Sequence, residues 1–261
     1  MRRLWQRLQQ LGERRALQRR AIPDALWQLT LARYPFLARR GEADLAELRR
    51  LSSLFLDRKE FSGAHGLHVS DDMAVAIAAQ ACLPVLRLGL RPYDGFVGIV
   101  VHRDEVQVRR EFADDDGIVH EYDDVLAGEA MEGGPMMLSW RDVSQAGASA
   151  EWGYNVVVHE FAHVLDMGDG VADGVPPLPS AAERQRWQAV LGAEFAAFGD
   201  RVDGGEHTLL DPYGAESPEE FFAVACEAFF VAPLDLRGEH PALYTLLAGY
   251  FQQDPAAAQH G

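Results

Sequence analysis

The hydropathy pattern predicts an α+β protein with a small sheet. Helix-spaced apolar residues run up to about residue 83, and short β-type patterns follow near 96–109 and 136–140. Helical spacing then returns and continues to the C-terminal end. No internal repeat or low-complexity tract interrupts this order.

Taken in chain order, Leu4, Leu8 and Leu11 keep helical spacing among arginines and predict a helix over 4–20. Such a basic helix can lie on a membrane surface, but a solvated helix docked on its own protein is favoured. Pro23 starts a second helix over 25–33, and Pro35 breaks it. A third helix fits 43–57. Gly63, His65 and Gly66 mark a loop, after which Ser70 can cap a helix from Asp71 to about Leu83.

The middle of the chain changes period. Residues 96–101 and 106–109 read as strands, the second alternating as half-buried strands do. Asp114-Asp115-Asp116-Gly117 reads as a solvated hairpin tip; three adjacent carboxylates suggest calcium, but no EF-hand ligand ladder follows. Met136 to Trp140 forms another short strand, expected at the sheet edge where an extended peptide can add by main-chain hydrogen bonds. Beyond a Gly-, Pro- and Asp-rich loop at 168–180, helices are expected over 181–198, 218–230 and 240–252.

Charge is divided unevenly. Residues 1–60 carry fourteen Arg or Lys against seven Asp or Glu, whereas the remainder carries ten against thirty-three. So acidic a body repels phosphates, which argues against a nucleic-acid partner. The longest apolar stretch, 73–88, contains Gln80, Pro84 and Arg87 and is too short to span a bilayer, so no membrane partner is expected. Cys82 and Cys226 sit in apolar helical stretches and read as reduced core thiols. With an arginine-rich N-terminus that lacks a secretory apolar region, the expected localisation is cytoplasmic.

Residues 154–167 carry the chemistry. Val157, Phe161, Val164 and Leu165 fall at helical spacing, and Gly168 and Gly170 end the segment. Within it stands His159-Glu160-Phe161-Ala162-His163. On a helix, H-E-x-x-H puts two imidazoles on one face where both reach a single Zn²⁺, with the glutamate beside them to handle protons. The plain alternative is a core helix with two hydrogen-bonded histidines. The remaining seven histidines show no ligand spacing; His65 and His68 are the one pair to watch.

A catalytic zinc needs a third protein ligand, and three carboxylates compete. Asp169 takes the last ligand position of the metzincin pattern, but Asp166 replaces the glycine which that pattern needs. Glu183 lies twenty residues beyond His163, in what reads as an exposed amphipathic helix. Glu220 heads a strongly apolar helix that Ser217 can cap and Pro218 can start, where a carboxylate is costly unless paired or metal-bound. Glu220 is favoured, although Glu219 and Glu220 would also suit the helix N-terminal dipole. Glu227, two turns on, can orient a ligand or support the core.

Several separated motifs then agree in order. Phe61-Ser-Gly-Ala-His-Gly66, Ala78-Ala-Gln-Ala-Cys82, Leu138-Ser-Trp140, Gly153 through His163 with Leu165-Asp166, Tyr213-Gly-Ala215, and Pro218-x-Glu220-x-Phe222-Ala-Val224 resemble the Mlc titration factor A family. These are bacterial zinc-dependent peptidases similar in their catalytic part to anthrax lethal factor. The resemblance runs from about Ile22 to the C-terminal helix. It implies a zincin-like metallopeptidase with a small β-sheet, an H-E-x-x-H helix and an N-terminal helical part. The domain reading is an N-terminal helical region over 1–60 packed on a catalytic domain over 61–261, or one continuous domain. The resemblance also implies one Zn²⁺ per chain on His159, His163 and Glu220, with Glu160 as general base and Tyr213 as an accessory catalytic residue. Expected partners are a peptide or protein substrate and, as in some members, the glucose-linked repressor Mlc. Two departures leave the metal constellation untouched: Val164 where many relatives carry Lys, and Phe221 where some carry Cys.

In this reading Glu160 takes a proton from a metal-acidified water, and Tyr213 donates to the developing oxyanion. Asp166, near His163 in the chain, is expected to accept a hydrogen bond from a ligating imidazole. The acidic body would favour basic peptides or those with a free amine, as an aminopeptidase does. Two other classes compete: a non-catalytic regulatory protein that sequesters a transcription regulator, and a zinc hydrolase of non-peptide amides.

Overall fold

A computed structural model describes residues 2–104, 106–113, 119–126, 128–130, 134–150 and 153–257, with the backbone alone for 2–10 and for those between 105 and 131. Helices α1 (Arg2–Arg19), α2 (Asp24–Arg33), α3 (Pro35–Ala38) and α4 (Glu42–Arg58) come first, then strand β1 (Glu60–Gly63) and helix α5 (Asp71–Cys82). Strands β2 (Gly98–His102), β3 (Val106–Ala113), β4 (Val119–Leu126), β5 (Gly128–Ala130) and β6 (Met136–Ser139) follow. The remainder is helical: α6 (Trp140–Ser149), α7 (Val156–Asp166), α8 (Ala181–Asp203), α9 (Pro218–Val231), α10 (Pro233–Glu239) and α11 (Pro241–Phe251).

The α+β order is observed, with a four-stranded sheet ordered β1-β2-β6-β5 and a separate β3-β4 pair. β1, β2 and β6 run parallel, aligning Phe61 with Ile99 and Val101 with Leu138. β5 closes the other side antiparallel, aligning Gly128 with Leu138. The expected edge position of the Met136 strand is therefore wrong: β6 is interior, and β1 and β5 are the edges. The acidic turn expected at Asp114–Asp116 lies outside the described residues.

Other differences trace to short or composite patterns. β1 occupies part of the stretch expected as a loop, because a four-residue strand gives too little alternation to stand out. The strand expected to reach Trp140 stops at Ser139, whose hydroxyl caps α6 instead, accepting from the Asp142 amide at 3.4 Å. Ser70 precedes α5 as expected, but its hydroxyl goes to the Asp72 carboxylate at 2.5 Å and caps no backbone amide. Helix α1 does dock on its own protein: Ala16 is buried, and Arg19 bonds Asp57 on α4 at 2.9 Å.

Two helices set the position of the candidate site. α7 buries Val157, Val158, Phe161 and Leu165, and Phe161 meets Tyr93 at 4.7 Å and Phe55 at 5.7 Å between ring centroids. Those aromatic contacts fix the rotation of α7, so its other face is held toward α9. α9 is buried from Phe221 to Val231. A helix apolar on every side can only be a central one. The turn Pro212–Ala215 seats directly on it: a Cβ at Gly214 would lie 2.5 Å from Val224 Cγ2, so only glycine permits the approach. Among the described residues, no helix is long and apolar enough to cross a membrane.

Candidate metal centre

His159 and His163 lie four residues apart on α7 and present their rings to α9. Glu220 sits in the first turn of α9, which Pro218 starts and Ser217 caps by accepting from the Glu220 amide at 3.3 Å. Its Oε2 stands 3.1 Å from His159 Nε2 and 3.5 Å from His163 Nε2. The two Nε2 atoms are 3.1 Å apart. Among the described residues this is the one group of three or more His, Cys, Asp or Glu that could hold a metal ion, with one ligand atom from each residue within 4.8 Å of the others.

Glu183 and Asp169, the competing carboxylates, are engaged elsewhere. Glu183 accepts from Ser180 Oγ at 2.7 Å at the start of α8, and Asp169 pairs with Arg184 at 2.5 Å. Asp166 is buried as a polar residue of α7, but its bond runs to the loop: Oδ2 accepts from the Gly174 amide at 2.9 Å, and Oδ1 has no partner. The expected contact to a ligating imidazole is thus replaced by a tether for the 168–180 segment. His65 lies 6.1 Å from His102 between ring centroids, apart from the three-residue group.

Behind His159 runs a buried polar chain. His159 Nδ1 lies 2.7 Å from Glu227 Oε1, and Glu227 Oε2 accepts from the Asn155 amide. The Asn155 side chain caps α7 by accepting from the Val158 amide at 2.9 Å and donates to Gln80 Oε1 at 2.8 Å. Gln80 in turn donates to the Ala76 carbonyl of α5. Asn155 and Gln80 were not singled out by sequence reasoning as site residues, although both fall in the quoted motifs. The available signal was a polar residue inside an apolar run for Gln80 and at the start of one for Asn155.

The sequence model of the family described as glucose-regulated metallo-peptidase M90 matches residues 7–252. The chain belongs to this M90 family. Similar proteins include an uncharacterized protein of Synechocystis, 38% identical over 245 residues, which is 93% of this chain and 88% of the relative. Mlc titration factor A of Edwardsiella ictaluri is 37% identical over 224 residues, 85% of each chain. That of Serratia proteamaculans is 36% identical over 236 residues, 89% of this chain and 88% of the relative.

A metallo-peptidase family implies a metal, and the M90 chain's own residues fit one. Glu227 occupies the Nδ1 side of His159, which leaves Nε2 facing His163 and Glu220. Glu220 Oε2 is buried, and the two imidazole nitrogens are the polar atoms it faces. Two imidazole nitrogens and one carboxylate oxygen turned toward one another make a donor set suited to a divalent cation.

Electrostatics agree with a site built for positive charge. Burial disfavours a protonated His159, yet contacts with Glu220 and Glu227 outweigh it and raise its pKa well above the ordinary value. Burial likewise opposes the Glu220 carboxylate, but the two imidazoles hold its pKa down at about 2. Glu160 is buried too and is pushed up to about 7 by that burial, partly offset by His159 and His163. Tyr213 stands on the turn before α9, 44% exposed, with its ring centroid 6.3 Å from that of His159.

Proposed function

We propose that this M90 chain is a zinc-dependent peptidase of the zincin type, holding one zinc through His159, His163 and Glu220. The convergence of those three donor atoms, with Glu227 bonded behind His159, carries the reading. When bound, zinc supplies Lewis acidity to a water and to the substrate carbonyl.

The protein's own groups then do the rest. Glu160, adjacent to His159 and nearly enclosed, accepts a proton from the attacking water and delivers it to the departing nitrogen. The water oxygen bonds to the carbonyl carbon, the C–N bond breaks, and an acid and an amine leave. Tyr213 offers a hydroxyl to the carbonyl oxygen as charge gathers there. β5 lies against α7 as one edge of the sheet and offers main-chain hydrogen bonds to an extended peptide. Residues 1–60 act as a helical part packed on the catalytic part, 61–261. Two separate buried thiols, Cys82 and Cys226, support a cytoplasmic setting.

The test is Glu160→Gln. Zinc content by elemental analysis should stay near one per chain, while peptide cleavage falls by about 10²-fold or more. Cleavage at the wild-type rate would sink the proposal.

A second reading is favoured by the relatives named Mlc titration factor A: a regulatory protein that sequesters a transcriptional repressor. Here Glu160→Gln would keep every regulatory effect of the wild type.

A further inference from the structure

We propose that Gly174 and Asp166 are positioning residues for the metal centre, holding the first turn of α9, and with it Glu220, at a set distance from the imidazoles of α7. The proposal rests on the zinc reading above and adds to it the residues that place the third ligand.

His159 and His163 share one helix, so the relation between their rings is fixed by α7 alone. Glu220 comes from another helix, and its distance to both rings depends on where α9 begins relative to the end of α7. One short piece of chain touches both. Residues 171–178 form no helix or strand, yet Gly174, Val175 and Pro176 are buried, while Val171, Ala172 and Pro177 are exposed.

Gly174 is bonded on both sides. Its amide donates to Oδ2 of Asp166, the last residue of α7, at 2.9 Å, and its carbonyl accepts from Trp187 Nε1 of α8 at 2.9 Å. Trp187 in turn lies against Phe222 of α9, with ring centroids 5.8 Å apart. These bonds seat the glycine on the first residue of α9. A Cβ at Gly174 would stand 2.5 Å from the Pro218 carbonyl oxygen and 3.0 Å from its carbon. Both are backbone atoms of the turn that carries Glu220, so no side-chain rotation relieves the contact. A φ of +74° at this position also favours glycine. Gly174 is thus a spacer of fixed thickness between the end of α7 and the start of α9. Asp166, three residues past His163, clamps that spacer to the helix that bears both imidazoles.

The test is Gly174→Ala, with Asp166→Ala as a variant that releases the spacer without crowding it and decides alone if Gly174→Ala does not fold. Zinc affinity, measured by competition with a chelator, should fall by about tenfold or more in each. Asp166→Asn keeps an oxygen for the Gly174 amide and should hold affinity within about threefold of wild type. Tyr244→Phe on α11 loses its hydroxyl's bonds with Asp254 and the Ala256 amide. It should lower Tm yet leave zinc affinity unchanged, which separates positioning from general stability. Crystal structures of the metal-free proteins give a readout that needs no metal. Glu220 Oε2 should move away from His159 Nε2 by about 1 Å or more in Gly174→Ala and Asp166→Ala. That displacement, with a wild type that takes up no zinc, would keep the positioning role and reject the zinc reading. Wild-type zinc affinity in both alanine variants, with Glu220 in place, would overturn the positioning role and leave the zinc site standing. An equal loss of affinity in Tyr244→Phe would overturn it too.

Discussion

His159 Nδ1 and Glu227 Oε1 stand 2.7 Å apart, although 68 residues separate them in the chain. Glu227 is buried two turns inside α9, so this contact reaches the imidazole from the protein interior. It selects which ring nitrogen faces Glu220 and His163. Glu227→Gln keeps the shape but removes the charge. Metal affinity, measured by competition with a chelator, should fall by about 10- to 100-fold. Unchanged affinity would show that the contact only supports packing.

Glu220 is the sole carboxylate within reach of both imidazoles among the described residues. Glu220→Ala should lose most of the metal that the wild type is expected to take up, about one zinc per chain. Glu183→Ala and Asp169→Ala should retain it, because those carboxylates are bonded to Ser180 and Arg184. Elemental analysis of the three variants decides the matter, and metal retained only in Glu220→Ala would reverse the assignment.

Asn155 caps α7 and joins it to α5 through Gln80. Asn155→Ala leaves the Val158 amide and the Gln80 carbonyl oxygen buried without these partners. The expected loss is about 1–3 kcal/mol, which lowers Tm by a few degrees in a chain of this size. A thermal melt of the metal-free protein isolates this effect from metal binding. No change in Tm would mean that water or a local shift replaces both bonds.

The tail beyond α11 gives a pH signature. Tyr244 donates to Asp254 at 2.5 Å, and that bond, with the Ala257 amide, holds the Asp254 carboxyl below its ordinary value of 3.8. A carboxylate whose pKa is depressed by folding adds stability above its unfolded value and loses it as pH falls through the folded one. Asp254→Asn should therefore lower Tm at neutral pH, and the gap to wild type should close as pH drops below about 4. A gap independent of pH would show that the effect comes from packing.

What the sequence determined by itself was local. The H-E-x-x-H pair needs only one helix to bring its rings together, and its apolar stripe at 157, 161, 164 and 165 identifies that helix. Ser217, Pro218 and Glu220 likewise share one helical turn, so both cap and ligand candidate were legible. Only the tertiary structure decided which carboxylate meets the imidazoles, because that depends on how α9 lies across α7. The same holds for Glu227, Asn155 and Gln80, whose partners sit on three different helices or their caps. Strand order was also beyond reach. The three-residue β5 carries almost no periodicity, yet its pairing moves β6 from the edge to the interior. Asp166 shows the limit most plainly. Its distance from His163 suggested an imidazole partner, whereas the folded loop supplies the Gly174 amide instead. Spacing along a helix reports which groups share a face, but not which segment the fold lays against that face.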